Sequence, residues 1–135
     1  MKRVNRIRRR AAAVVEFAVV LPLLLTILFG IIEYGWVFMV RQTLLNGARE
    51  GCRVAVLQTT TAPYTQVTAA VSNVMTPAHI SGYSVTMTHA TVADPTETVT
   101  VSIPYNQVSL LGGFFGAHDY NLQGYCAMRK EGVTP

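Results

Sequence analysis

The fold is decided by Met1-Lys2-Arg3-Val4-Asn5-Arg6-Ile7-Arg8-Arg9-Arg10 and by the run directly behind it, Ala11-Ala12-Ala13-Val14-Val15-Glu16-Phe17-Ala18-Val19-Val20-Leu21-Pro22-Leu23-Leu24-Leu25, and on to Val40. Six of the first ten residues (Lys2, Arg3, Arg6, Arg8, Arg9 and Arg10) are basic, and the run behind them is almost wholly apolar. About 20 apolar residues as helix match a hydrocarbon core of about 30 Å, and this run is longer. Basic residues are held on the cytoplasmic side of a bilayer, so they act as a topology signal and the remainder is expected to be exported. The sequence therefore divides into a basic cytoplasmic tip (1–10), a transmembrane helix (11–40) and an exported domain (41–135).

A cleaved secretory signal fits less well. Its apolar core is usually about 7–15 residues and ends in a small-x-small site. Here the run continues through Gly30, Tyr34, Gly35, Trp36 and Phe38. Lipoprotein processing at Cys52 is disfavoured as well, because the charged Arg49-Glu50-Gly51 precedes it.

The formal net charge of +4 is unevenly distributed. From residue 41 onward, Arg41, Arg49, Arg53, Arg129 and Lys130 balance Glu50, Asp94, Glu97, Asp119 and Glu131. The basic excess thus belongs to the tip, and no basic cluster on the exported part suggests a nucleic-acid surface. Beyond the anchor about 95 residues remain, enough for one small core. Cys52 and Cys126 both fall in this part. In an oxidising compartment they can pair, which the chain-entropy model values at about 4 kcal/mol for so long a loop. The alternative is two buried free thiols.

Helical periodicity does not stop at Val40. Val37, Val40, Leu44, Ala48, Cys52 and Ala55 recur at steps of three or four, while Arg41, Gln42, Asn46, Arg49, Glu50 and Arg53 fall largely on other faces. One helix from about Ala11 to Val56 is expected, kinked at Pro22, whose missing N–H frees the carbonyl of Ala18. Thr59-Thr60-Thr61-Ala62-Pro63 reads as a linker, and a second helix is expected from Tyr64 to Met75, ended by Pro77. The period then changes to two. Tyr83, Val85 and Met87 alternate with Ser84, Thr86 and Thr88, and Val99, Val101, Ile103 and Tyr105 alternate with Thr98, Thr100 and Ser102. These runs flank Asp94-Pro95 as a hairpin, with the Val/Ile/Tyr face inward, and a third strand is expected from Tyr120 to Arg129. The glycine-rich Leu110-Leu111-Gly112-Gly113-Phe114-Phe115-Gly116 is either a plug into the core or a contact surface. The fold class is α+β: a long N-terminal transmembrane and amphipathic helix packed on a small antiparallel sheet of about three strands.

Catalytic chemistry is thinly represented. His79, His89 and His118 lack the close spacing of metal ligands. Gly112-Gly113 has no helix or basic residue beside it to make a phosphate cradle. No enzymatic role, cofactor or metal is expected. Glu16 is the residue with unusual physics, since a carboxylate near a bilayer centre costs about 2.5–3.5 kcal/mol on insertion scales. It sits early enough in the run to reach the headgroups, so an interfacial acid and a functional one both remain open. Glu33, about 25 Å further along a straight helix, lies beside Tyr34 and Trp36 and reads as part of an interfacial belt.

The run Arg9-Arg10-Ala11-Ala12-Ala13-Val14-Val15-Glu16-Phe17-Ala18, with Leu21-Pro22-Leu23-Leu24-Leu25, Phe29-Gly30-Ile31-Ile32-Glu33-Tyr34-Gly35, Gln42-Thr43-Leu44 and Asn46-Gly47-Ala48-Arg49-Glu50-Gly51-Cys52-Arg53, resembles the TadE-like family. These are minor pilins or pseudopilins of bacterial tight-adherence (Flp-type) pilus systems. The resemblance covers about residues 8–56; the strand-rich remainder is only loosely similar. It implies a prepilin peptidase cut between Ala11 and Ala12 that would make Glu16 the fifth residue of the mature chain, although Ala11 stands where the family typically carries Gly. It further implies an assembly role for Glu16, Phe17 and Pro22, with Glu16 setting register by pairing with a neighbour's new amino terminus.

The function so implied is that of a non-catalytic, membrane-anchored structural component of a tight-adherence pilus assembly or secretion apparatus. Its partners would be the lipid bilayer, other apparatus subunits and a prepilin peptidase. It would sit in the bacterial inner membrane with its amino terminus cytoplasmic and its C-terminal domain periplasmic or extracellular. The alternative is a bitopic envelope protein, never processed, whose exported domain binds a partner or ligand.

Overall fold

The structure, a computed structural model, describes the backbone of residues 2–57, 63–112 and 120–130, with side chains from residue 11 onward. Helix α1 (Lys2–Leu57) is followed by α2 (Tyr64–Met75) and by strands β1 (Ser84–Thr88), β2 (Thr96–Pro104) and β3 (Asn121–Arg129). The chain is α+β, with a long apolar helix and a three-stranded antiparallel sheet in the order β1-β2-β3.

Helix α1 begins earlier than the hydrophobic pattern suggests. Arg and Lys are good helix formers and no Gly or Pro interrupts residues 2–10, so the helix extends back through the basic tip. It also runs unbroken through Pro22. The linker at Thr59–Ala62, Gly113 through Gly116 of the glycine-rich loop, and His118 lie outside the described residues. Of the same loop, Leu110 is exposed and Leu111 half-buried.

The chain divides into two compact units, residues 1–35 and 36–135. The described residues of the first are all helical. In the second, α1 contributes Val40, Leu44, Ala48, Cys52 and Ala55, each with no exposed surface. The three- and four-residue spacing selects these and also Val37, which is only partly buried. Helix α2 adds Val67, Ala70, Val71 and Met75. The sheet adds Val85, Val99, Val101, Ile103 and Leu122 from its inner face. Each such Val, Leu, Ile or Met contributes about 1.5–3 kcal/mol relative to leaving it in water.

Two features bring backbones unusually close. A Cβ on Gly51 would press on Val67, Val71 and Val99, and one on Gly47 would touch Val71 and Met75, so this glycine pair lets α2 settle against α1. On the sheet, a Cβ on Gly124 would overlap the Leu44 carbonyl group and the Leu45 nitrogen, so β3 passes directly beneath the α1 backbone.

Beyond Met75 the chain turns with the Ile80 amide donating to Met75 O (3.2 Å) and the His79 amide to Thr76 O (3.0 Å). His79 sits at φ 56, the left-handed position of a Schellman-type stop, and Ile80 drops into the core beside Met75. The outer sheet face carries hydroxyls in register: Ser84 opposite Ser102, Thr86 opposite Thr100, Thr88 opposite Thr98. Tyr64 of α2 donates its hydroxyl to the Val85 carbonyl of β1 at 2.8 Å, which occupies one acceptor on that sheet edge.

Candidate functional site

In the first unit, Ala11, Ala12, Glu16, Phe17 and Pro22 all lie on α1 and all are exposed. So are Val14, Val19, Leu23, Leu24 and Ile27, which leaves the stem apolar on every side. Among the described residues one helix is long and apolar enough to cross a membrane, spanning Ala11–Leu57, with mean hydropathy 2.6 in its most apolar window and none of that window buried. A helix apolar all round is suited to membrane anchoring or to burial among other helices. Thr26 donates its hydroxyl to Pro22 O (2.8 Å), so its polar atom has a partner within the helix itself. The side chains of Lys2, Arg3, Arg6, Arg8, Arg9 and Arg10 lie outside the described residues. Glu33 is 1% exposed, while Ile31, Ile32 and Tyr34 beside it face outward.

In the second unit the two cysteines come together. Cys52 is fully buried on α1 and Cys126 partly buried on β3, both as thiols. The Cys52 S–H donates to the Cys126 carbonyl at 3.0 Å and lies 3.9 Å from the Glu97 carbonyl. Burial, reinforced by the adjoining Cys126 side chain, pushes the Cys52 thiol from 9.0 up to about 12. A thiol whose folded pKa is raised keeps its stabilising effect below the unfolded value near 9 and loses it as pH climbs through 12, because only the unfolded chain releases the proton readily. Reduced protein should therefore lose stability between about pH 9 and 12 more steeply than Cys52→Ala does. Urea melts of the two in reductant at stepped pH measure this, and parallel curves would contradict it.

A second cluster of charged groups surrounds the buried Glu97. Glu97 is 1% exposed and Lys130 7% exposed, and Lys130 Nζ lies 3.2 Å from Glu97 Oε1. His89 Nδ1 lies 3.2 Å from the other carboxylate oxygen. Lys130 Nζ also donates to Ala55 O of α1 at 3.4 Å, and its amide to Pro95 O at 2.8 Å. The last turn of α1 has no basic residue of its own, so Lys130, directly after β3, supplies the cation that the helix C-terminus favours. The signal is present in the strand parity. Glu97 is in phase with the inward Val99, Val101 and Ile103, and Lys130 is in phase with Leu122, Gly124 and Cys126. Glu50 and Arg53, by contrast, form an exposed bidentate pair along α1, and that hydrogen bond holds the Glu50 carboxyl below its usual value.

A recess of about 220 Å³ is lined by Trp36, Val40, Ile80, Ile103 and Val108, with His79, Ser81, Gln107 and Ser109 at its polar side. Trp36 donates its indole N–H to Val108 O at 2.8 Å. Among the described residues His79 is the one titratable group in that lining. Among the described residues no three His, Cys, Asp or Glu side chains are grouped to hold a metal ion.

No curated protein and no solved structure matches the chain significantly. A family model does match, over the part of the molecule that carries the exposed stem and the glycine-bearing stretch of α1. Residues 11–53, all of them within α1, match the model described as TadE-like protein, and it is through this helix that the chain is similar to the TadE family.

Proposed function

We propose that the chain is a non-catalytic, membrane-anchored structural component, of minor-pilin or pseudopilin type, of a tight-adherence pilus assembly or related secretion apparatus. The observation that carries this reading is the coincidence of the TadE-like match over residues 11–53 with a stretch of α1, residues 11–29, that is largely apolar and exposed on all sides. Such a surface needs lipid or neighbouring helices around it. The basic tip supports an inner-membrane orientation with the amino terminus cytoplasmic and residues 41–135 outside.

In this reading a prepilin peptidase cuts between Ala11 and Ala12. The new amino terminus then lies four residues from Glu16, and in a bundle of stems each Glu16 pairs with a neighbour's terminus. An expensive lone carboxylate becomes a registered ion pair, Phe17 packs beside it, and Pro22 shapes the stem. Losing even about 1.4 kcal/mol at one contact lowers an association constant tenfold. Glu16→Ala should therefore reduce incorporation into the apparatus about tenfold or more at unchanged protein level. Normal assembly by that variant would remove the register role.

The second reading, a bitopic envelope protein that binds a partner through its outer domain, is favoured by one observation: Ala11 occupies the position where the family typically has Gly. The intact mass of protein extracted from its native membrane decides between the two. Loss of residues 1–11 supports the pilin-like reading, and a chain retaining its basic tip supports the permanently anchored one.

A further inference from the structure

We propose that Cys52 and Cys126 form an intrachain disulfide once residues 41–135 reach an oxidising compartment, and that Cys126 is the thiol that reacts first. The bond would tie α1 to β3. It would therefore join the TadE-like segment, which ends at residue 53, to a strand that lies outside the match.

Geometry carries the pairing. Cys126 occupies the inward parity of β3 together with Leu122, Gly124 and Met128, opposite Val99 in the sheet register. Cys52 follows Leu44 and Ala48 on the buried stripe of α1. The absence of a side chain at Gly124, two residues from Cys126, lets the α1 backbone lie against β3. The Cys52 sulfur already reaches the Cys126 carbonyl at 3.0 Å.

Accessibility sets the order. Cys52 has no exposed surface and holds its proton tightly, whereas Cys126 is only partly buried. The Cys126 thiolate attacks one sulfur of a disulfide-carrying oxidant, and the oxidant's other sulfur leaves as a thiolate. Cys52, giving its proton to water, then displaces the oxidant and closes the bond. The two thiols surrender two electrons and two protons, and the oxidant's disulfide becomes a dithiol.

The inference rests on the outward orientation proposed above, so its test reads topology and thiols together. Full-length protein in its native membrane is challenged from outside with a protease that cannot cross the bilayer. In parallel, the membranes are dissolved in denaturant with excess iodoacetamide, with or without prior reduction, and intact masses are measured. The expected result is an accessible C-terminal domain, no alkylation before reduction, two alkylations after it, and a peptide joining Cys52 to Cys126. The Cys52→Ser variant should trap the oxidant on Cys126 as a mixed disulfide, and Cys126→Ser should trap none on Cys52. An accessible domain whose two thiols alkylate without reduction, or which bonds only between chains, overturns the disulfide and leaves the orientation standing. A protected domain with free thiols overturns both.

Discussion

Lys130→Met will destabilise the C-terminal unit by about 3–5 kcal/mol, because it strands the Glu97 carboxylate in the interior. Glu97 is 1% exposed, and Lys130 Nζ at 3.2 Å is the cation beside it. His89 shares the other oxygen but is itself open to solvent along part of its ring. The substitution also removes the donor to Ala55 O, so a carbonyl in the last turn of α1 loses a partner. The check is a urea melt of the full-length protein in detergent, followed by the fluorescence of Trp36, the chain's one tryptophan, which is anchored to Val108 O. The double variant Lys130→Met/Glu97→Leu should recover much of the loss, since replacing a whole buried pair with apolar groups is often neutral or stabilising. If the single variant melts with the wild type, the pair is not an interior one. If the double variant is no better than the single, the loss comes from packing and not from charge.

That cluster also marks where the sequence is legible and where it stops being so. The buried stripe of α1 is legible because helical spacing is a local property: spacing alone selects Val37, Val40, Leu44, Ala48, Cys52 and Ala55, and all but the half-buried Val37 are wholly buried. The hairpin is legible for the same reason, through alternation of Val and Ile with Thr and Ser, and the third strand through Leu122, Cys126 and Met128 on one parity. The Glu97–Lys130 pair follows the same alternation, yet charge normally indicates a surface position, and a balanced count of acids and bases points to a solvated exterior. Their opposite signs on the inward parity of neighbouring strands are the signal that outweighs it. The long-range approach of backbones at Gly47, Gly51 and Gly124 has no local signature at all, since each depends on an element distant in sequence. A glycine in a strand suggests close approach without naming what approaches. The cysteine pairing stands between these cases. Two thiols on inward positions of a helix and a strand are visible, but their meeting depends on how β3 crosses α1.

Gly124→Ala tests that crossing and should be among the most damaging single-methyl changes at the described residues. The added carbon would meet the carbonyl carbon and oxygen of Leu44 and the amide nitrogen of Leu45. These are backbone atoms of a helix, which cannot rotate aside as a side chain would. Either β3 bows away from β2, or α1 lifts off the sheet. Bowing costs ladder hydrogen bonds opposite Val101, the register partner of Gly124. Lifting opens space around Leu44, Ala48 and Cys52, which are fully buried in the same stripe. Overpacking alone costs typically about 1–3 kcal/mol, and a clash with rigid backbone belongs at or above the upper end. A loss of about 3 kcal/mol is expected in the same Trp36 melt, and Gly124→Val should not yield a folded C-terminal unit. Gly35→Ala is the control, because a Cβ there meets nothing within 4 Å and removes a helix-weakening glycine, so no loss is expected. The disulfide provides a second readout. If Gly124→Ala shifts α1 away from β3, Cys52 and Cys126 separate and the fraction alkylated without reduction rises. A Gly124→Ala protein with unchanged stability and unchanged thiol accessibility would mean that the two backbones do not meet there, and the geometric argument for the cysteine pairing would lose its support.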